Sequence, residues 1–353
     1  MDIKLLNVIV SQFNIYISNV MFKPITQGYI NDTFLVEENS EPKYILQRIN
    51  SNVFKNVSGL HKNIDTALKK LKASDYTELN LLKTKANKSY YVYDDSFWRL
   101  MTFVPNSVAY NFTSNKKIAF EAGRIVGCFH QLLKDEDVNN YEVTLPNLNY
   151  LPFRITEFKQ ALKNTSNELK ENATIEIAFA ERHLDDFKNF YNANLPERIC
   201  HNDTKLNNFI FNNNNLGLCL IDLDTIMKGY FHYDFGDAVR TIVSEAGEDE
   251  KDLSKIKFNT QLFKAFIDGI SSNDSFLSEI EIDYLPISCV LMPFMHGLRA
   301  LTDYLNGNVY YKVSYQEQNL DRCKSLFQFA SLALEKQSTI ETIINNKLKK
   351  QLK

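Results

Sequence analysis

The spacing of the apolar residues changes near Pro105, and this change limits the possible folds more than any other feature of the sequence. Before it, short β-prone runs alternate with turns. After it, apolar residues recur at helical spacing, as in residues 116–133, and a β-rich stretch at residues 199–221 interrupts the helices. We therefore expect an α+β, bilobal fold, with a small mixed lobe over residues 1–105 and a large, mainly helical lobe over residues 106–353.

The β-prone and helical runs predict individual elements. In the small lobe we expect strands over residues 32–36 and 44–49, a helix capped by Ser58, and further strands between residues 90 and 104. In the large lobe, helical patterns cover approximately residues 116–133, 153–170, 173–190, 234–246, 259–271, 284–306 and 315–350. Small ligands usually bind in the cleft that such an arrangement leaves between its lobes.

Charge and cysteine content exclude several classes of protein. The net charge of −3 and the lack of a long basic block argue against a nucleic-acid partner. The five cysteines have no CxxC spacing, so we expect free thiols in a reducing compartment. No apolar run reaches the length needed to span a bilayer, and the apolar patch at residues 5–10 reads as a helix start. These features predict a soluble, cytoplasmic protein without a membrane partner.

Polar residues cluster in two short segments of the β-rich stretch. The segment His201-Asn202-Asp203-Thr204-Lys205-Leu206-Asn207-Asn208 lies between two apolar strands, and Ile221-Asp222-Leu223-Asp224 follows the second. Taken singly, each segment is compatible with a polar turn, because Asp and Asn are common in turns. Together they form the pattern H-x-D-x4-N with a second Asp after a hairpin, which is much more specific.

This pattern supplies the groups that phosphoryl transfer needs. The reaction requires a carboxylate near the attacking hydroxyl and hard oxygen ligands for magnesium. Asp203 fits the role of base, while Asn208 and Asp222 fit the role of metal ligands. Lys205 is placed to reach the transferred phosphoryl group as a point charge. We expect His201 to brace the loop by hydrogen bonding.

The small lobe departs from the protein-kinase pattern. Gly28 is the only glycine available over the phosphates, so there is no GxGxxG segment. The strand at residues 44–49 offers Gln47 or Arg48 where a kinase places its lysine. Strand alternation allows only one of the two to face the cleft, and the sequence leaves that choice open. We take Arg48 as the candidate nucleotide contact, with a surface strand cation as the alternative.

Polar residues in a late apolar helix suggest a second binding surface. Arg299 and Asp303 are four residues apart, so one helix face can carry both. One interpretation is a partly buried ion pair that stabilises the helix. The other is a sugar-binding face, to which Tyr310 and Tyr29 would add phenol groups.

The catalytic segment, the Asp222 segment and the order of the lobes resemble the aminoglycoside phosphotransferase and choline kinase superfamily over nearly the whole chain. This resemblance implies a protein-kinase-like fold with ATP and Mg²⁺ in the cleft. It also implies that Asp234, although it begins an Asp-Phe-Gly triplet, is a buried residue that hydrogen-bonds the catalytic loop. The connector residues Phe103 and Val104 would contact adenine; the alternative is a plain edge strand that ends at Pro105.

Further segments resemble the N-acetylhexosamine 1-kinases within this superfamily. They are Gly28 to Thr33, Tyr44 to Asn50 with Val53-Phe54, the Ile-Asp-Leu-Asp-Thr segment at residues 221–225, and Arg299 to Leu305. The resemblance implies transfer of phosphate from ATP to the anomeric hydroxyl of N-acetylglucosamine or N-acetylgalactosamine.

Two alternatives remain open at this stage. A kinase for another alcohol, such as an amino alcohol, an aminoglycoside or another monosaccharide, would share the same catalytic residues. A carboxylate-rich acceptor pocket would favour a cationic substrate, but we interpret the acidic run at residues 245–250 as a solvated turn. A catalytically inactive binding protein is the second alternative, and the presence of all three catalytic residues argues against it. The sequence does not determine the oligomeric state.

Overall fold

The computed structural model describes residues 2–26 and 30–352. The small lobe contains β1 (Val20–Ile25), β2 (Asp32–Glu38), β3 (Glu41–Ile49), β4 (Tyr91–Tyr93) and β5 (Ser96–Thr102). They form one antiparallel sheet in the order β1-β2-β3-β5-β4. Gly28 and Tyr29, two expected ligand contacts, lie outside the described residues.

A short helix covers one face of this sheet. It is α1 (Ile3–Val10), which contains the apolar patch at residues 5–10 noted in the sequence. Its apolar side packs into a separate core formed by Leu6, Ile9, Val10, Phe13, Phe34, Val36, Leu46, Trp98 and Leu100. Because side chains alternate along a strand, Leu46 and Arg48 lie on the α1 side of β3, and Gln47 and Ile49 lie on the other side.

The second helix, α2 (Val57–Leu68), packs against the large lobe. Its buried Asn63 donates hydrogen bonds to the carbonyl oxygens of Glu142 and Ile226 and accepts one from the Glu142 N–H, at 2.8–2.9 Å. The helix begins two residues earlier than expected. Asn56, not Ser58, is its N-cap, because the Asn56 side chain accepts from the first-turn N–H of Gly59 at 2.9 Å.

The large lobe is mainly helical, which confirms the expected fold class. Its helices are α3 (Lys116–Leu133), α4 (Leu151–Asn164), α5 (Asn167–Asn172), α6 (Thr174–His183), α7 (Lys188–Asn192), α8 (Phe231–Ile242), α9 (Thr260–Ile270), α10 (Glu279–Leu305), α11 (Gln318–Glu335) and α12 (Gln337–Lys347). The helical pattern at residues 315–350 is two helices, because the chain leaves helical geometry at Lys336.

Two small antiparallel sheets lie in the β-rich stretch. One contains β6 (Ser107–Val108), β8 (Phe209–Asn212) and β9 (Gly217–Leu220), and the other pairs β7 (Arg198–Cys200) with β10 (Met227–Gly229). Residues 201–208 join β7 to β8, and residues 221–226 join β9 to β10. Since β8 pairs with β9 and β7 with β10, these two connecting loops lie side by side.

The central helix of the large lobe is α10. By length and composition it could cross a membrane, but 83% of its most apolar window is buried inside the protein. It packs against α8 and α11 and contains Pro286 and Pro293. Its apolar character is that of a core helix.

Candidate active site

Asp234, in the first turn of α8, fixes the backbone of the loop between β7 and β8. The buried Asp234 carboxylate accepts hydrogen bonds from the backbone N–H of His201 at 2.8 Å and of Asn202 at 2.6 Å. Its Oδ2 also lies 2.9 Å from His130 Nε2. Both carboxylate oxygens are therefore engaged within the protein, as expected for a residue that holds the loop.

Gly236, the last residue of the Asp-Phe-Gly triplet, has a packing function. A Cβ atom at this position would lie 2.3 Å from the Ser288 carbonyl oxygen, so only glycine lets α8 approach α10 this closely. The triplet therefore lies near the start of the buried helix α8.

His201 links the two loops of the site. Its ring is buried, and Nδ1 accepts a hydrogen bond from the Asp203 N–H at 3.3 Å. With Nδ1 acting as acceptor, Nε2 carries the proton and donates to the Ile221 carbonyl oxygen at 2.8 Å. Thr225 Oγ1 donates to the His201 carbonyl oxygen at 2.7 Å. This geometry is that of the bracing residue expected from the sequence.

Asp203, Lys205 and Asn208 converge at the surface of the first loop. Lys205 Nζ lies 3.0 Å from Asp203 Oδ2. Asn208 Nδ2 donates to the same oxygen at 3.0 Å and to the Asp203 carbonyl oxygen at 2.8 Å. The Asp203 carboxylate raises the pKa of Lys205 well above its usual range, so the ammonium stays charged. Both side chains remain partly exposed, as contact with a substrate requires.

Asp222 lies on the neighbouring loop in a left-handed backbone conformation, with φ of 62°. Its residue surface is exposed to solvent. Partial desolvation of the carboxylate by the surrounding protein, together with repulsion from Asp224 and Asp203, raises its pKa to about 6.

These features of Asp222 suit a divalent cation, since a cation would offset the crowded negative charge. Asn208 Nδ2 is used in binding Asp203, and its Oδ1 accepts no hydrogen bond from any described residue. The two predicted metal ligands thus present oxygen atoms on adjacent loops, and the donor set fits a hard cation.

Arg48 does not lie where we expected it. It is on the α1 side of β3, where it forms a half-exposed ion pair with Asp32, with Nε 2.8 Å from the carboxylate. Its guanidinium carbon lies 6.0 Å from the centre of the Trp98 ring. Strand alternation instead turns Gln47 toward the cleft side of the sheet, so Arg48 has the environment of the alternative considered for it, a surface strand cation.

Sequence reasoning missed the cation that does lie on the cleft side, Arg99 of β5. It is 1% exposed and forms an ion pair with Asp224, which is 3% exposed. Asn31 also binds Asp224, at 2.6 Å. The available signal was an arginine between Trp98 and Leu100 in an otherwise apolar strand, because such a residue needs a buried partner.

The connector leaves one backbone donor available. The Phe103 N–H donates to the Lys43 carbonyl oxygen at 3.0 Å, and the Val104 carbonyl oxygen accepts from Ser107 Oγ at 2.6 Å. Among the described residues, no acceptor faces the Val104 N–H. Val104 is buried and Phe103 partly buried, so the segment offers apolar surface and one unpaired donor.

On the other side of the catalytic loop, Asp303 and Arg299 do not form the ion pair considered above. The Asp303 carboxylate is buried and accepts hydrogen bonds from the N–H groups of Tyr310 at 2.8 Å and Tyr311 at 3.0 Å. Asn319 Nδ2 donates to it at 2.8 Å. Asp303 therefore fixes the loop that carries Tyr310, whose side chain remains exposed, and has no free oxygen for a sugar.

Arg299 is half-buried and lies within 4.0 Å of no carboxylate in the described part of the chain. Burial opposes its charge, but Tyr311, Tyr310, Glu157 and Asp203 together outweigh that effect and raise its pKa. Arg299 is thus within electrostatic reach of Asp203.

A second arginine, Arg154 of α4, lies near Arg299. Burial and the neighbouring Arg299 charge lower its pKa. Its Nη1 contacts Glu157 at 2.6 Å, its Nη2 donates to the Leu148 carbonyl oxygen at 3.1 Å, and its buried Nε has no partner among the described residues. Two neighbouring guanidinium groups with unused donors make this region electropositive.

The acidic run at residues 245–250 is not the solvated turn that we expected. Glu248 pairs with the buried Arg240, which also binds Asp237 through its Nε at 2.7 Å. Although burial disfavours its charge, Arg240 lowers the pKa of Glu248 to about 2. The sequence did not reveal this pairing because Arg240 lies on α8, and packing decides which way the loop turns.

Comparisons with known proteins agree with this geometry. The profile of the phosphotransferase enzyme family (APH) matches residues 22–257. Similar solved structures include a microcompartment-associated aminopropanol kinase (15% identity, TM-score 0.61, covering 96% of this chain and 99% of that one). An amicoumacin kinase in complex with AMP-PNP and Ca²⁺ is 12% identical (TM-score 0.60, 94% of each chain). A choline kinase from Cryptosporidium parvum is 14% identical (TM-score 0.59, 98% and 99%).

At these identities the structural matches establish the kinase-like fold alone. The family match is independent of them and covers both loops of the site, from the small-lobe sheet to the end of α8 and the paired acidic run. Together with the Asp203, Asn208 and Asp222 geometry, it shows that the chain belongs to the phosphotransferase enzyme family, as a small-molecule kinase.

Proposed function

We propose that this protein transfers the terminal phosphoryl group of ATP to the anomeric hydroxyl of an uncharged N-acetylhexosamine. The choice of an uncharged acceptor rests mainly on Arg299. Its guanidinium is within electrostatic reach of Asp203 and has no carboxylate at ion-pair distance among the described residues. A choline or aminoglycoside cation would meet Arg299 and Arg154 there. Like charges repel, whereas sugar hydroxyl and acetamido oxygens accept guanidinium hydrogen bonds.

The carboxylates around this region do not reverse its sign. Glu157 is paired with Arg154, and Glu248 and Asp237 are both paired with Arg240. An acceptor cation would have to displace one of these pairs, of which the Arg240–Asp237 pair is buried on both sides. The sequence resemblance to N-acetylhexosamine 1-kinases, especially at Arg299 to Leu305, selects a sugar among uncharged acceptors.

Asp203 would accept the proton of the attacking hydroxyl and orient its oxygen toward the γ-phosphorus. Lys205, held charged by Asp203, would stabilise the negative charge of the transferred group. A magnesium ion held by Asn208 and Asp222 would neutralise charge on the nucleotide phosphates. The unpaired Val104 N–H and the apolar surface of Phe103 and Val104 would hold adenine in the connector.

The test is phosphate transfer from ATP and Mg²⁺ to a panel of N-acetylglucosamine, N-acetylgalactosamine, other monosaccharides, choline and an aminoglycoside. We expect turnover on an N-acetylhexosamine with loss of its reducing end. The matched control is the 1-O-methyl glycoside of the same sugar, which should not react because its anomeric oxygen is blocked. Turnover on the glycoside, or preference for a cationic acceptor, would contradict the proposed acceptor but would still show that the protein is a kinase.

A further inference from the structure

A buried ion pair connects the small-lobe sheet to the loop that carries Asp222. Arg99 Nη1 contacts Asp224 Oδ1, and both side chains are almost fully excluded from solvent. Asp224 belongs to the short 3₁₀ turn Leu223–Thr225, which starts directly after Asp222. Removing one partner of such a pair leaves a buried charge unpaired, which is strongly destabilising.

The remaining donors of Arg99 are fixed by Gln47. Arg99 Nε and Nη2 both donate to Gln47 Oε1, at 2.9 and 2.7 Å, and Gln47 Nε2 donates to Thr33 Oγ1 at 3.2 Å. Gln47 and Arg99 are register partners on the neighbouring strands β3 and β5. Of the two residues that the sequence offered at the position of the kinase lysine, Gln47 is thus the one that lies beside a buried cation.

The other oxygen of Asp224 is bound from a second direction. Asn31 Nδ2 donates to Asp224 Oδ2 at 2.6 Å, and Asn31 Oδ1 accepts from the Asn50 N–H at 2.9 Å. Asn31 directly precedes β2, so the start of β2, the end of β3 and the middle of β5 all fix one carboxylate. Among the described residues, the hydrogen bonds to the Asp224 carboxylate come from the small lobe, although Asp224 itself belongs to the large lobe.

We propose that Arg99 and Asp224 are positioning residues that set the Asp222 carboxylate for metal binding and couple it to the small lobe. Arg99 is too buried to contact a phosphate itself, and each of its three guanidinium nitrogens already donates to Asp224 or Gln47. The backbone before Asp222 is fixed at Ile221, whose N–H donates to the Asn208 carbonyl oxygen and whose carbonyl oxygen accepts from His201 Nε2. The backbone after Asp222 is fixed by Asp224. This inference rests on the proposed function of Asp222 as a metal ligand.

The test measures AMP-PNP binding by titration calorimetry over a series of Mg²⁺ concentrations, without any acceptor. The quantity compared is the Mg²⁺ concentration that gives half of the maximal increase in AMP-PNP affinity. We expect it to rise by at least 10-fold in Arg99→Met, in Asp224→Asn and in the double variant Arg99→Met/Asp224→Leu. Magnesium-free affinity for AMP-PNP should change less than twofold. The double variant removes both charges and so avoids the penalty of one unpaired buried ion.

Lys83→Met is the matched control, because it breaks another small-lobe ion pair, with Asp65, and should leave the Mg²⁺ requirement unchanged. A folded double variant with the wild-type Mg²⁺ requirement would show that the pair is only structural. If the double variant does not fold, Arg99→Lys replaces it, because lysine keeps the charge but loses the forked contact with Gln47. A raised Mg²⁺ requirement in Arg99→Lys would support the proposal, and an unchanged one would contradict it. Wild-type binding that ignores Mg²⁺ would instead reject the metal role of Asp222.

Discussion

Asn208 donates a hydrogen bond from Nδ2 to Oδ2 of Asp203 over 3.0 Å. This contact joins the proposed base to a proposed metal ligand, and it turns Asn208 Oδ1 away from Asp203. The same carboxylate oxygen faces Lys205. One side of Asp203 is therefore occupied by fixed donors, which leaves its other oxygen for the acceptor hydroxyl.

Asp203→Asn should lower kcat by about 10²–10⁴-fold, the range expected when a general base is lost. AMP-PNP affinity in the presence of Mg²⁺ should change little, because Asp203 is not assigned as a metal ligand. Steady-state kinetics with calorimetry on the same preparation separates the two effects. A variant that loses nucleotide binding and turnover together would assign Asp203 to the metal instead.

Asp222→Asn should stabilise the metal-free protein at neutral pH. The pKa of Asp222 is about 6, above its usual value near 4, so the folded state holds this proton more tightly than the unfolded chain. The ionisation of Asp222 therefore costs stability as pH rises from about 4 through 6. We expect the Tm of the variant in EDTA to exceed that of wild type by roughly 2 °C at pH 7.

The Tm difference between the two proteins should shrink as pH falls from 7 and vanish only below about pH 4, where Asp222 is protonated in both the folded and the unfolded state. Adding Mg²⁺ with AMP-PNP should raise the Tm of wild type and not that of the variant. A variant less stable than wild type in EDTA at pH 7 would show that Asp222 makes a favourable structural contact.

Asp234→Asn should destabilise the protein by about 2–3 kcal/mol and lower kcat. The carboxylate accepts from the N–H groups of His201 and Asn202, and an amide can accept through only one of its two ends. Urea unfolding gives the stability change. Asp268→Asn is the matched control. Asp268 of α9 forms a partly exposed ion pair with Lys347 of α12, and losing such a pair should lower the free energy of unfolding by only about 0–1 kcal/mol.

Arg299→Met should raise the KM for the sugar by at least 10-fold, because a guanidinium that bridges sugar oxygens is lost together with its charge. The KM for ATP should stay within twofold, since Arg299 is proposed to contact the acceptor and not the nucleotide. Initial-rate kinetics with each substrate varied in turn makes the comparison. Equal changes in the two KM values would contradict an acceptor-specific role.

The sequence determined the parts of this protein that depend on local pattern. Helix α3 spans the residues that periodicity predicts, and the β-rich stretch contains the predicted strands, because burial of one apolar face suffices to define such elements. The spacing of Asp203, Asn208 and Asp222 predicts neighbouring positions because a hairpin with short loops leaves few other arrangements. In the structure, these three residues lie on adjacent loops.

Only the tertiary structure decided which partners the charged residues meet. Gln47 and Arg48 are adjacent in sequence, and the packing of α1 alone determines which face of β3 is turned to the cleft. The helical spacing of Arg299 and Asp303 allows an ion pair, but Asp303 binds the backbone of the loop that follows α10 instead. The pairing of Arg99 with Asp224 joins residues far apart in the chain. Local pattern cannot encode such contacts, because a buried charge takes whichever partner the folded core brings within reach.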